Sequence, residues 1–272
     1  MDDIKMLPNH QAFLDRFIYA CQNDDRIVAV FLGGSYAIKA ADEHSDIDLF
    51  VILTDEDYED FLPDQVAFLH LFGEPVFMES FDLPNFSFFI YSDGTEGHVY
   101  FGHEGQFECL HTGPYTVLLD KKDILAGVVF PGCKPGPEEQ TEKLRRLLFY
   151  FWHEVSHFTT GLARGQLWWA QGQLESMRGM CISLVRLQND FFDHEAGSEP
   201  YFKIERDVPV EQLSVLQGTF GPMEKYTLYR AALIIVEFFK EKAVPLANSH
   251  GIPYPDVLEW IMVNRLAKLR LN

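Results

Sequence analysis

Two stretches of the chain carry residue types that can do chemistry together. Phe31-Leu32-Gly33-Gly34-Ser35 is followed, after ten intervening residues, by Asp46-Ile47-Asp48-Leu49. A Gly-Gly-Ser turn closing an apolar run lets the backbone bend tightly around an anion, with amides and a hydroxyl offered to phosphate oxygens. In Asp46-Ile47-Asp48 the two-residue period of a strand puts both carboxylates on one face and Ile47 on the other. Paired carboxylates suit Mg²⁺, a hard cation that takes oxygen ligands and leaves positions for substrate phosphates. The combination predicts a metal–nucleotide site. Gly33, Gly34 and Ser35 would serve the phosphates, and Asp46 and Asp48 the metal.

A second pattern competes with the first. His153-Glu154-Val155-Ser156-His157 matches the HExxH arrangement of zinc proteases, and on a helix its two histidines share a face. Such a site needs a third ligand. Thr160 and Gly161 do not fit the extended pattern with glycine and a third histidine, which leaves Glu175, on the next predicted helix, as the nearby candidate. A polar helix face accounts for these residues more simply, and a zinc hydrolase stands as the lesser alternative.

The elements around these residues follow from apolar periodicity. Phe13, Leu14, Phe17, Ile18 and Cys21 recur at helical spacing. Ile27 to Leu32 and Ile47 to Leu53 read as buried strands, and Asp64 as the cap of a short helix carrying Val66, Leu69 and Phe72. Phe86 to Tyr91 and Glu96 to Phe101, joined by Ser92-Asp93-Gly94-Thr95, read as a β-hairpin, and Tyr115 to Leu119 as a last strand. Pro131-Gly132-Cys133-Lys134-Pro135-Gly136-Pro137 continues neither helix nor central strand and reads as a linker between domains 1–132 and 133–272. Beyond it the period becomes helical. Leu144, Leu147, Leu148, Phe151, Val155, Phe158 and Leu162 form one stripe; Leu174, Met177, Cys181, Leu184 and Val185 form another. Tyr226 to Glu241 and Val257 to Leu269 add two helices. The fold class expected is an α/β domain with a mixed sheet followed by an α-helical bundle. Trp152, Trp168, Trp169 and Trp260 are expected in core or interdomain packing, and His103 and His111 in loops.

Composition bounds the partners. A chain of 272 residues with 47% hydrophobic residues has material for two cores. A net charge of −19 repels a nucleic-acid backbone and attracts small cations. No apolar run reaches bilayer length, and Met1-Asp2-Asp3-Ile4-Lys5 lacks the layout of a signal peptide. Cys21, Cys109, Cys133 and Cys181 are scattered, without CxxC pairs, as expected of reduced thiols in a cytoplasmic protein without membrane or nucleic-acid partners.

Gly34-Ser35-Tyr36-Ala37 through Ser45-Asp46-Ile47-Asp48-Leu49 resembles the signature of the polymerase-β-like nucleotidyltransferase superfamily, in particular its aminoglycoside and lincosamide nucleotidyltransferases. Arg164-Gly165-Gln166-Leu167-Trp168-Trp169-Ala170 and Arg178 are similar, more weakly, to the helical domain of those enzymes. The resemblance implies transfer of a nucleoside monophosphate, AMP above all, from ATP or another triphosphate to a hydroxyl of a small, cationic acceptor held between the domains. Glu154 is a candidate general base facing the acceptor, and Arg164 and Arg178 either reach the triphosphate or pair with acidic residues. The chain departs from the pattern twice. Ile38 and Lys39 stand where relatives have arginine and glycine, leaving Lys39 as a point charge for phosphate. The family's third carboxylate, placed after an Asp-Gly-Thr turn, falls here on His98, with Glu96 and Glu104 as possible replacements. Either the chain is an enzyme of this type, or it is a nucleotide-binding protein of the same fold with weakened catalysis.

Overall fold

The computed structural model of the protein describes residues 6–132, 134–190 and 199–269. The chain divides into two compact units, Met1–Gly132 and Cys133–Asn272. Cys133 itself and the Met1–Lys5 segment lie outside the described residues.

The first unit is built on a six-stranded mixed sheet. Its elements in chain order are α1 (Pro8–Gln22), β1 (Ile27–Leu32), α2 (Gly34–Ala37), β2 (Ile47–Leu53), α3 (Tyr58–Phe61), α4 (Gln65–His70), β3 (Pro75–Glu79), β4 (Phe86–Tyr91), β5 (Glu96–His103) and β6 (Thr116–Asp120). The strands lie in the order β3-β4-β5-β2-β1-β6. Every neighbouring pair is antiparallel except β2 and β5, which run parallel with Ile47 opposite Gly97 and Asp48 opposite His98. The central strands are apolar on both faces because both faces are covered. Leu32, Leu49, Val51, Val99 and Phe101 pack with Phe13, Leu14 and Phe17 of α1 and with Phe61 and Phe68. On the other face Ala29, Phe31, Phe50 and Ile52 pack with Phe107, Leu125 and Phe130. All of β1 is buried, and Asp48 is the one residue of β2 that is not.

The second unit is helical: α5 (Pro137–Ala163), α6 (Leu167–Gln188), α7 (Ile204–Asp207), α8 (Val210–Gln217), α9 (Lys225–Ser249) and α10 (Asp256–Ala267). The apolar stripes of α5, α6 and α9 meet in one core, where the Phe151 ring stacks on Phe239 with centroids 3.5 Å apart. Burial of one such ring contributes about 1.5–3 kcal/mol, so the stripe dictates which helix face turns inward. Arg186 and Asp207, both buried, pair at 2.9 Å and fix α7 against α6. Among the described residues no helix is long and apolar enough to cross a membrane.

Several expectations need correction. Asp64 stands at the N-cap position of α4 but makes no capping bond. It sits in a 3₁₀ turn, Leu62–Asp64, with helical backbone, and α4 ends before Phe72 while Val66 is exposed. Helix α9 runs past Glu241 to Ser249 through Pro245, because Ala243, Leu246 and Ala247 continue its buried stripe. Of the four tryptophans only Trp152 is buried. Trp168 and Trp260, 82% and 69% exposed, lie off the stripes that pack α6 and α10. His103 ends β5 rather than lying in a loop, with Nδ1 2.7 Å from Asp55 Oδ1. Cys21 and Cys181 are buried and their thiols pushed well up by desolvation, whereas Cys109 is exposed.

Candidate active site

Strand alternation decides where the acidic pair points. Asp48, Phe50 and Ile52 share one face of β2, and on parallel β5 the same face carries His98 and Tyr100. Farther along, this face is closed by the aromatic layer around Phe31 and Phe50, whose rings stack at 4.8 Å. At its open end the apolar layer gives way to Asp46, Asp48 and His98. One ligand atom from each of the three lies within 4.8 Å of the others. His98 Nε2 is 3.0 Å from Asp48 Oδ1, and Nδ1 is 4.0 Å from Asp46 Oδ2. Asp48 and His98 are mostly buried and Asp46 about half exposed. Burial, followed by repulsion from Asp48, holds the Asp46 carboxyl above the usual carboxylate range. A group held so is stabilised by positive charge, and the donor set of two carboxylates and one imidazole fits a divalent cation.

The glycine turn is built around Asp48. Gly33 N–H donates to the Asp48 carbonyl at 2.9 Å, and Gly34 has φ +54°. A Cβ on Gly34 would stand 1.6 Å from Asp48 Oδ2, so no other residue fits without displacing that carboxylate. Ser35 Oγ is buried and makes no hydrogen bond among the described residues. Leaving such a hydroxyl unsatisfied costs about 1–3 kcal/mol, which a phosphate oxygen would remove. Lys39, where the resemblance places glycine, keeps a glycine-like backbone at φ 59°, with its side chain exposed. Among the described residues Lys39 makes no ion pair with Asp46 or Asp48. His111, set aside above as a loop residue, is in a loop, but its ring packs on Phe31 and Phe50 under Gly33. Desolvation lowers its pKa, and it forms part of the floor of the turn. No spacing in the sequence marks it.

Neither replacement for the third carboxylate is part of the cluster, although Glu96, on the His98 face of β5, is near enough to add repulsion at Asp46. Glu96 is exposed at the hairpin end of β5, and Glu104 pairs with Lys122.

In the second unit the ligand atoms of His153, Glu154 and His157 also lie within 4.8 Å of one another. The Glu154 carboxylate, 15% exposed, accepts from His153 Nδ1 at 2.9 Å. In the amide orientation that satisfies both neighbours, Gln173 donates to Glu154 and accepts from Trp169 Nε1 at 3.3 Å. Glu175, the candidate third zinc ligand, is outside this group. Its carboxylate is taken by Arg178, Gln171 and Tyr201. Arg178 is buried against Glu175, Thr219 and the Phe220 ring, so its charge serves the fold of this unit. Arg164 is exposed just beyond the end of α5.

Comparison with known proteins adds a family. A family model described as streptomycin adenylyltransferase matches residues 8–265. No curated protein sequence matches the chain. Among solved structures the chain is similar to an aminoglycoside 6-adenyltransferase from Bacillus subtilis, with 18% identity and a TM-score of 0.43 over 94% of this chain and 97% of that one. It is also similar to a nucleotidyltransferase-like protein from Exiguobacterium sibiricum 255-15, with 10% identity and a TM-score of 0.40 over 85% and 74% of the two chains.

Proposed function

Because the chain belongs to the streptomycin adenylyltransferase family, we propose that it transfers the adenylyl group of ATP to a hydroxyl of a small, cationic, aminoglycoside-like acceptor. The observation that carries this reading is the convergence of Asp46, Asp48 and His98 beside the Gly34 turn. Asp46 and Asp48 hold a divalent cation, for which carboxylates alone would favour Mg²⁺. Such an ion supplies charge neutralisation to the triphosphate. Gly33 and Gly34 let the phosphates approach the backbone, Ser35 Oγ donates to one of their oxygens, and Lys39 offers a point charge. The acceptor oxygen attacks the α-phosphorus, the bond from that phosphorus to the pyrophosphate oxygen breaks, and pyrophosphate leaves. The hydroxyl proton passes to a carboxylate, for which Glu154 is the candidate; Gln173 and His153 keep that side chain fixed. The charge of −19 draws a polyamine acceptor toward the protein.

The test is transfer of label from α-phosphate-labelled ATP to a panel of aminoglycosides and other hydroxylated amines. Labelled acceptor and an equal amount of pyrophosphate are expected, with Glu154→Gln lowering kcat by about 10²–10⁴ and leaving ATP binding intact. Label remaining on bound ATP with every acceptor would replace this reading with that of a nucleotide-binding protein.

A further inference from the structure

We propose that His98 makes the cluster a nitrogen-containing metal site, selective for a first-row transition-metal ion such as Mn²⁺ or Co²⁺ over Mg²⁺. The inference rests on the reading of Asp46 and Asp48 as the residues that hold the cation. Mg²⁺ demands oxygen ligands in near-ideal octahedral geometry and sheds water reluctantly, whereas imidazole suits the later divalent ions. The geometry fits coordination through Nε2. Its 3.0 Å separation from Asp48 Oδ1 is that of two adjacent ligands on one ion with bonds of about 2.1–2.2 Å.

The ring is held where it is. Parallel pairing sets His98 opposite Asp48, and β5 approaches β2 so closely that a Cβ on Gly97 would meet the Ile47 carbonyl oxygen at 2.5 Å. Phe86 and Tyr100 flank the imidazole at centroid distances of 5.6 and 5.5 Å. Among the described residues the cluster consists of Asp46, Asp48 and His98; Glu104 is paired with Lys122, and Glu96, on the same face of β5, is exposed and outside the group. To ligate through Nε2 the ring carries its proton on Nδ1, the nitrogen that faces Asp46.

The experiment measures the ion directly, without turnover. Mn²⁺ is bound to the 272-residue chain and examined by pulsed electron paramagnetic resonance, which detects imidazole nitrogen bonded to the metal. Mg²⁺ and Mn²⁺ affinities are compared by calorimetry in wild type, His98→Asp and His98→Asn. Nitrogen coupling is expected in wild type and absent in both variants, and the Mn²⁺-over-Mg²⁺ preference should fall at least about ten-fold in His98→Asp. Mn²⁺ binding that depends on Asp46 and Asp48, yet shows no nitrogen coupling and an unchanged preference in His98→Asp, would overturn the inference and leave the proposed function standing. Mn²⁺ binding unaffected by Asp46→Asn/Asp48→Asn would remove the underlying reading and the inference together. The Asn variant is close to imidazole in polarity, so loss of nitrogen coupling there, with unchanged thermal melting, separates ligation from folding.

Discussion

Gly34→Ala brings in the shortest contact that a Cβ would make at any described glycine. The backbone there is left-handed, with φ +54°, which costs a residue with a Cβ about 1–2 kcal/mol relative to glycine. The new methyl would start 1.6 Å from Asp48 Oδ2, so the carboxylate must retreat by about 1.8 Å to reach ordinary contact at 3.4 Å. A move of that size breaks the 3.0 Å contact with His98 Nε2 and takes one oxygen out of the cluster. Thermal stability should therefore fall by only a few degrees, as ~1–2 kcal/mol implies for a unit of this size. Divalent-cation affinity should fall more than about ten-fold, the scale of losing a ligand or its support. Circular dichroism melts and calorimetric titration of Mn²⁺ on the same preparation separate the two effects. Unchanged Mn²⁺ affinity in a folded Gly34→Ala protein would refute the claim that this turn exists to seat Asp48.

Other consequences are as direct. Asp46→Asn should raise the melting temperature of the chelator-treated protein at neutral pH, because it removes repulsion from Asp48 and a desolvated charge; a lower melting temperature would contradict the electrostatic account. Elemental analysis should find no stoichiometric zinc, since Glu175 is committed to Arg178, Gln171 and Tyr201; one zinc per chain, lost in His157→Ala, would revive the hydrolase alternative. The Arg26 hydrogen bond holds the Asp24 carboxyl below its ordinary value of 3.8. The stability that this pair contributes, below about 1 kcal/mol for so exposed an arginine, is thus present above that pH and lost as pH falls through the depressed folded value. Acid titrations of wild type and Asp24→Asn should converge only below about pH 4, and a gap that widened in acid would reverse the sign.

What was legible in the sequence tracks how strongly each element is buried. β1 and β2 stand out as apolar runs because both their faces are covered, and α5 and α6 because one stripe alone faces the core. Strand β3 escaped notice because it is an edge strand that begins with proline and leaves Val76 and Phe77 exposed. Helix α8 buries only Leu216 and so carries no stripe, and α9 runs on through Pro245 to Ser249. In the site, Gly34, Asp46 and Asp48 were readable because fixed local spacing does the positioning. His98 lies 50 residues beyond Asp48, and only the parallel pairing of β5 with β2 brings them together, which no local period encodes. Resemblance pointed to it where periodicity did not. His111 needed the fold itself, since aromatic packing beneath Gly33 leaves no mark in the sequence.

The central claim is that Asp46 and Asp48 hold the cation that carries the triphosphate. It is tested most directly by calorimetric titration of a non-hydrolysable ATP analogue, with Mg²⁺ or Mn²⁺ present, into wild type and Asp46→Asn/Asp48→Asn. Wild type should bind the analogue only when the cation is present. The double variant, folded and melting no lower than wild type in chelator, should lose that cation-dependent binding. Equal cation-dependent binding by the two proteins would contradict the account.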